Sequence, residues 1–157
     1  MKKEFKSAEL LYLMRRISHN FTIELELNLK EKEISGTQVY FMVYILRHHP
    51  TGTYLTELCH EIGVSKPTLS ALIKKMKEKG YLYFQENPED IRKKKVLPTD
   101  KLLNEGKEFM KKASQLETEV CSVLDPSERV QLRDLEQKLL EQLAGMKQKE
   151  TTNRRLY

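Results

Sequence analysis

Two short apolar stripes separated by a single glycine constrain this chain more than any other feature. The first runs through Leu55, Leu58 and Ile62 and is closed by Gly63. The second starts after Ser65, runs through Leu69, Leu72, Ile73 and Met76, and stops at Gly80. Steps of three and four put each set on one face of a helix. Gly63 suits the left-handed backbone that ends a helix, and Ser65 suits the cap of the next. Thr53 is the expected cap of the first. Two short helices joined by a tight Gly-containing turn form a helix-turn-helix.

The next segment completes a second motif. Tyr81 to Phe84 is aromatic and strand-like, Asn87-Pro88-Glu89-Asp90 is a turn sequence, Arg92 to Lys95 is a basic run, and Val96-Leu97 returns as a strand before Pro98. The segment predicts a hairpin with a charged tip, a wing beside the two helices. Upstream, Leu10, Met14, Ile17, Phe21 and Leu25 mark one face of a long helix over Ser7 to Asn28. Ser35 to Gln38 is a capping box for a helix whose residues Val39 to Leu46 are apolar nearly all round, hence buried. Downstream, Thr99 caps a helix with apolar Leu102, Phe109, Leu116, Val120 and Val123. Asp125-Pro126-Ser127-Glu128 opens another, striped by Leu132, Leu135, Leu139 and Leu143. From Lys147 a polar, frayed tail is expected. The fold class expected is mainly α with a small β-hairpin wing: a winged helix-turn-helix over 34–98, flanked by N- and C-terminal dimerisation helices over 1–33 and 99–146, with a flexible tail over 147–157. All 157 residues form one domain on this reading.

Composition narrows the function classes. With 39% apolar residues and 11 Gly plus Pro, the chain is of ordinary globular type and leans towards helix. Its longest uncharged run, Ile34 to Leu46, has 13 residues against about 20 for a spanning helix, so no membrane association is expected. Arg15 and Arg16 directly after Leu10 to Met14, with no small-residue cleavage site, argue against a signal peptide. Cys59 and Cys121 fit no disulfide framework, which suits a reducing cytoplasm. Cys59 reads as core packing, and Cys121 lacks the basic neighbour or partner thiol of a redox sensor. His48 and His49 end a helix, where a cation suits the dipole, and show no metal-ligand spacing. No nucleophile elbow, Gly-rich phosphate loop or zinc-hydrolase motif is present, so no catalytic residue, metal or cofactor is assigned.

Charge supplies the positive argument. Ser65 to Lys101 holds ten Lys and Arg against five Asp and Glu, while the other 120 residues hold 18 of each sign. The entire excess of +5 therefore lies in one quarter of the chain. A local basic patch fits nucleic acid, an anionic membrane surface or a merely solvated face. A helical wheel favours the first. Opposite the Leu69–Met76 stripe lie Pro67, Thr68, Ala71, Lys74 and Lys75, with Ser70 at the flank and Ser65 and Lys66 at the helix N-terminus, where free N–H groups suit a phosphate. Short and basic side chains let a major-groove wall approach. The face holds no Arg, Asn or Gln, so base readout rests on Thr68, Ser70, Ala71 and Lys74, with groove shape read by Arg92 on the wing, oriented by Asp90. Lys93 and Lys94 complete the basic wing. The terminal stripes, Leu10 to Leu25 and Leu132 to Leu143, need a partner surface, which a two-fold homodimer supplies.

G-V-S-K-P-T-L-S (Gly63 to Ser70), K-K-M-K-E-K-G-Y-L (Lys74 to Leu82), N-P-E-D-I-R-K-K (Asn87 to Lys94) and P-T-D-K (Pro98 to Lys101) resemble the multiple-antibiotic-resistance regulator (MarR) family of transcription factors. The wing pattern N-P-x-D-x-R is the most specific piece, and the order of the flanking helices agrees. The resemblance implies a homodimer with interlocked terminal helices and recognition helices in successive major grooves. Carried over by position, Ser65, Lys66, Pro67, Thr68, Ser70 and Lys74 are the recognition-helix contacts, and Asp90 and Arg92 the wing pair. Ala71 departs from the Arg or other polar reader found in many members. The resemblance also implies a pocket for a small aromatic or anionic effector. Tyr40, Tyr44 and Phe109 are the aromatic candidates for its lining, with Arg15 and His19 to orient an anion. The function expected is a homodimeric, sequence-specific regulator of transcription on a pseudo-palindromic double-stranded DNA operator, a repressor released by its effector, in the cytoplasm on the nucleoid. The alternative is an interaction or adaptor module on the same fold with weakened DNA binding, for which Ala71 is the support.

Overall fold

The computed structural model describes residues 4–155, without the side chains of 91, 92 and 149–155. The chain divides into two compact units, Met1–Leu116 and Glu117–Tyr157.

In the first unit a 3-10 turn at Ser7–Glu9 leads into α1 (Leu10–Asn28), and a second at Lys30–Lys32 precedes α2 (Gly36–His48). The capping box closes as expected. Ser35 Oγ accepts from Gln38 N at 3.2 Å, and Gln38 Oε1 accepts from Ser35 N at 3.4 Å. α2 forms the centre of the core: Val39, Met42 and Ile45 are fully buried. α1 contributes Leu25 and the partly buried Phe21 from its C-terminal half, followed by Leu29 just past its end, while Met14 and Ile17 on the same stripe are exposed.

A two-residue strand β1 (Thr53–Tyr54) precedes α3 (Leu55–Ile62). Thr53 is thus not the cap of α3. Its backbone pairs with Val96 far along the chain, and that ladder overrides the local capping preference. Gly63 ends α3 at φ 77°, a left-handed geometry that glycine adopts with no Cβ penalty. Next come α4 (Lys66–Glu78), β2 (Leu82–Asn87) and β3 (Asp90–Pro98). The strands form an antiparallel sheet in the order β1-β3-β2, with Phe84 opposite Val96, Glu86 opposite Lys94 and a register shift at Glu86/Asn87. The hairpin is longer than the sequence suggested. The basic run lies along β3 rather than at the tip, its Lys94 and Lys95 opposite Glu86 and Gln85. The turn itself is Pro88-Glu89, held by Asn87 Oδ1 accepting from Glu89 N at 3.0 Å.

α5 (Asp100–Cys121) starts on the Thr99 hydroxyl, which accepts from Leu102 N at 3.3 Å, and buries Leu102, Phe109 and Leu116. Val120 and Val123, expected on the same apolar line, are exposed, and Val123 lies beyond the helix end. In the second unit Asp125 and Glu128 form a reciprocal cap at the start of α6 (Pro126–Arg155). Leu132, Leu135, Leu139 and Leu143 are all exposed. The helix continues through the segment expected to be a loose tail. Lys147, Gln148, Lys149 and Glu150 are good helix formers with no Gly or Pro among them.

Candidate nucleic-acid interface

α4 separates its two faces cleanly. Leu69, Ile73 and Met76 are buried and Leu72 is half-buried against the core, while Pro67, Thr68, Ser70, Ala71, Lys74 and Lys75 are exposed, as are Ser65 and Lys66 ahead of them. Ser65 caps the helix: its Oγ accepts from Thr68 N at 3.4 Å and donates to Thr68 Oγ1 at 2.8 Å. That bond occupies an acceptor site on Thr68 and leaves its hydroxyl proton to donate outward. Glu78 shares the exposed side in the last turn.

β2 and β3 present a second cationic surface. Lys93 and Lys94 are exposed and Asp90 is half-buried. Arg92 lies on β3, two residues after Asp90, and its side chain falls outside the described residues. Sequence reasoning missed the joint between wing and helix. Phe84, half-buried on β2, has Lys77 Nζ of α4 at 5.2 Å and Lys94 Nζ of β3 at 5.8 Å from its ring centroid. The aromatic run Tyr81 to Phe84 was the only signal for that position.

Behind α4, α3 is tied to the end of α2. Glu61 Oε2 accepts from Tyr44 OH at 2.7 Å and lies 2.6 Å from His49 Nε2, while the His48 ring packs 4.5 Å from that of Tyr44. His49 and then Tyr44 hold the Glu61 carboxyl below its ordinary pKa. Burial, then the bond and charge of Glu61, push the Tyr44 phenol up to about 12. Tyr44 therefore anchors α3. Of the other candidates for an effector site, Phe109 is fully buried with its edge on Tyr81, Tyr40 is partly exposed against Phe41, and Arg15 and His19 are exposed on α1. An open cleft of about 510 Å³ lies elsewhere, among Glu26, Lys30, Gln38, Lys75, Glu78 and Lys79, and none of the five candidates lines it. Cys59 is half-buried against the core, and Cys121 is half-buried. Among the described residues no group of three or more His, Cys, Asp or Glu is placed to hold a metal ion, and no helix is long and apolar enough to cross a membrane.

Residues 33–93 match the model of the MarR family. Solved structures share the fold over most of the chain. The DNA complex of MepR from S. aureus superposes with a TM-score of 0.76 at 23% identity, covering 88% of this chain and 99% of that one. A MarR protein from Peptoclostridium difficile gives 0.78 at 20% identity, covering 91% and 92%. The transcriptional regulator SlyA gives 0.79 at 20%, covering 87% and 95%. No curated protein matches the chain.

Proposed function

We infer that this chain, whose residues 33–93 match the model of the MarR family, is a member of that family and acts as a homodimeric DNA-binding regulator of transcription. In this reading each α4 enters a major groove, each wing reaches the adjoining minor groove, and the two half-sites lie about one helical turn apart. The observation that carries it is the division of α4: an apolar face turned into the core, and an outward face of small, hydroxylic and basic side chains continuous in charge with the wing. The crystallised complex of MepR with DNA, on the same fold, supports it.

Roles follow from chemistry. Lys66, Lys75, Lys93 and Lys94 serve the phosphates, and Pro67 sets the first turn of α4 beside Ser65. Thr68 and Ser70 meet base edges, Ala71 meets a thymine methyl, and Lys74 meets a guanine edge or a phosphate. Arg92, steadied by Asp90, reads a narrow A·T-rich minor groove. Residues 34–98 are the DNA-binding region, and the helices within 1–33 and 99–146 pair the protomers. The exposed Met14 and Ile17 of α1 and the four exposed leucines of α6 are the apolar surface that a second copy covers. Repression relieved by a small aromatic or anionic effector, in the cytoplasm on the nucleoid, is the finer form of the proposal.

Selection of bound duplexes from a random pool tests it, with titration of the selected site against salt as the second step. A pseudo-palindromic site and an affinity that falls steeply with ionic strength are expected. An affinity indifferent to salt refutes the reading. Arg92→Ala lowers affinity by about 1–3 kcal/mol and relaxes the preference for A·T-rich flanks. Wild-type binding by that variant removes Arg92 from the interface.

A further inference from the structure

We propose that Phe84 is a positioning residue for DNA: its ring gathers the ammonium groups of Lys77 and Lys94 into one paired cationic clamp on the phosphate backbone between the two grooves. The inference rests on the DNA-binding reading above and adds a coupling between wing and recognition helix. Lys77 and Lys94 belong to different elements, and both side chains are exposed. Free in water, two like charges on flexible stems spread apart and lose rotamer entropy when a ligand orders them. Here both nitrogens lie within the roughly 6 Å at which an aromatic face attracts a cation. The ring is itself fixed. Phe84 packs against the core, and its backbone pairs with Val96, a fully buried residue of β3. The clamp is thus seated on the rigid part of the sheet. Phosphates succeed one another every ~3.4 Å of rise along a strand, and in this proposal the two cations gathered on one ring serve neighbouring phosphates of a single backbone. Neither lysine needs a particular base, so the clamp supplies affinity and registers the wing against α4 without reading sequence.

The test uses the full-length protein and a mixed-sequence duplex. In wild type, the ε-methylene protons of Lys77 and Lys94 show upfield ring-current shifts by NMR; their absence overturns the proposal, whatever any variant does. Phe84→Leu keeps an apolar side chain against the core and removes the ring. It weakens binding by about five- to tenfold, and the log–log salt slope becomes shallower by about one for each phosphate no longer neutralised. Phe84→Tyr keeps the ring, the proton shifts and the affinity. Lys77→Gln and Lys94→Gln each weaken binding in the wild-type background and change little in Phe84→Leu. Equal losses in both backgrounds, or an unchanged salt slope in Phe84→Leu, overturn the clamp while leaving DNA binding intact. A wild-type protein with no salt-dependent affinity for duplex overturns the underlying reading, and the clamp with it.

Discussion

Replacing Gly36 with alanine tests the junction on which the first unit is built. Gly36 opens α2 at its closest approach to α1, and a Cβ there would overlap the carbonyl oxygen and carbon of Thr22. Those atoms are backbone in the interior of α1, so relief requires bending that helix or sliding α2 across the core. Overpacking usually costs about 1–3 kcal/mol, and a backbone obstruction belongs at the upper end. Against this, alanine narrows the unfolded ensemble and returns about 0.4–1 kcal/mol. The net loss is on the order of 2 kcal/mol, a sizeable part of the ~5–15 kcal/mol that stabilises a typical domain. With a urea m-value of about 2 kcal/mol per molar, the midpoint drops by roughly 1 M. The assay is equilibrium unfolding by circular dichroism at a fixed protomer concentration, because dimerisation would make stability depend on it. Thr37→Ala, at the exposed neighbouring position, is the control and should stay within about 0.5 kcal/mol of wild type. A Gly36→Ala midpoint equal to or above wild type would refute the close-approach argument.

Two further substitutions separate folding from binding. Ser65→Ala removes the α4 cap and costs about 1 kcal/mol in the same unfolding assay. Ser65→Asp keeps a capping oxygen and most of the stability but places a negative charge on the interface, so duplex affinity in a fluorescence titration falls while the melt does not. Glu61→Gln probes the tie between α2 and α3. The folded carboxyl titrates below its unfolded value, so its contribution is fully present above about pH 4.3 and is lost as the pH falls through the folded value. Melting temperatures of wild type and Glu61→Gln should therefore differ most above that point and converge on acidification. A gap that stays constant down to pH 3 would contradict the assignment.

Local chemistry was the legible part of the sequence. The Ser35–Gln38 box, the Ser65 cap, the Gly63 stop and the Asp125–Glu128 cap depend on residues at most three or four apart, and all are found as read. The face of α4 came from the same periodicity. The features that escaped are set by distant partners. Thr53 looked like a cap because its pairing partner Val96 is 43 residues away. Lys94 and Lys95 looked like a loop tip because charge disguises a strand whose cross-strand neighbours, Glu86 and Gln85, are also polar. The bond from the Tyr44 hydroxyl to Glu61 was not legible because its acceptor sits 17 residues away on another helix. Phe84 went unsingled because its significance lies in two lysines on two other elements.

The short strand β1 has a mechanical result out of proportion to its length. It pairs with β3 at Val96 and Lys95, so the root of the hairpin is stapled directly in front of α3. Further out, β2 is the one strand paired with β3 among the described residues, and an isolated pair of strands is marginal in water. The arm is anchored on both sides at its foot and on one side at its reach, so the pairing that fixes its origin in front of α3 does not extend to its far end.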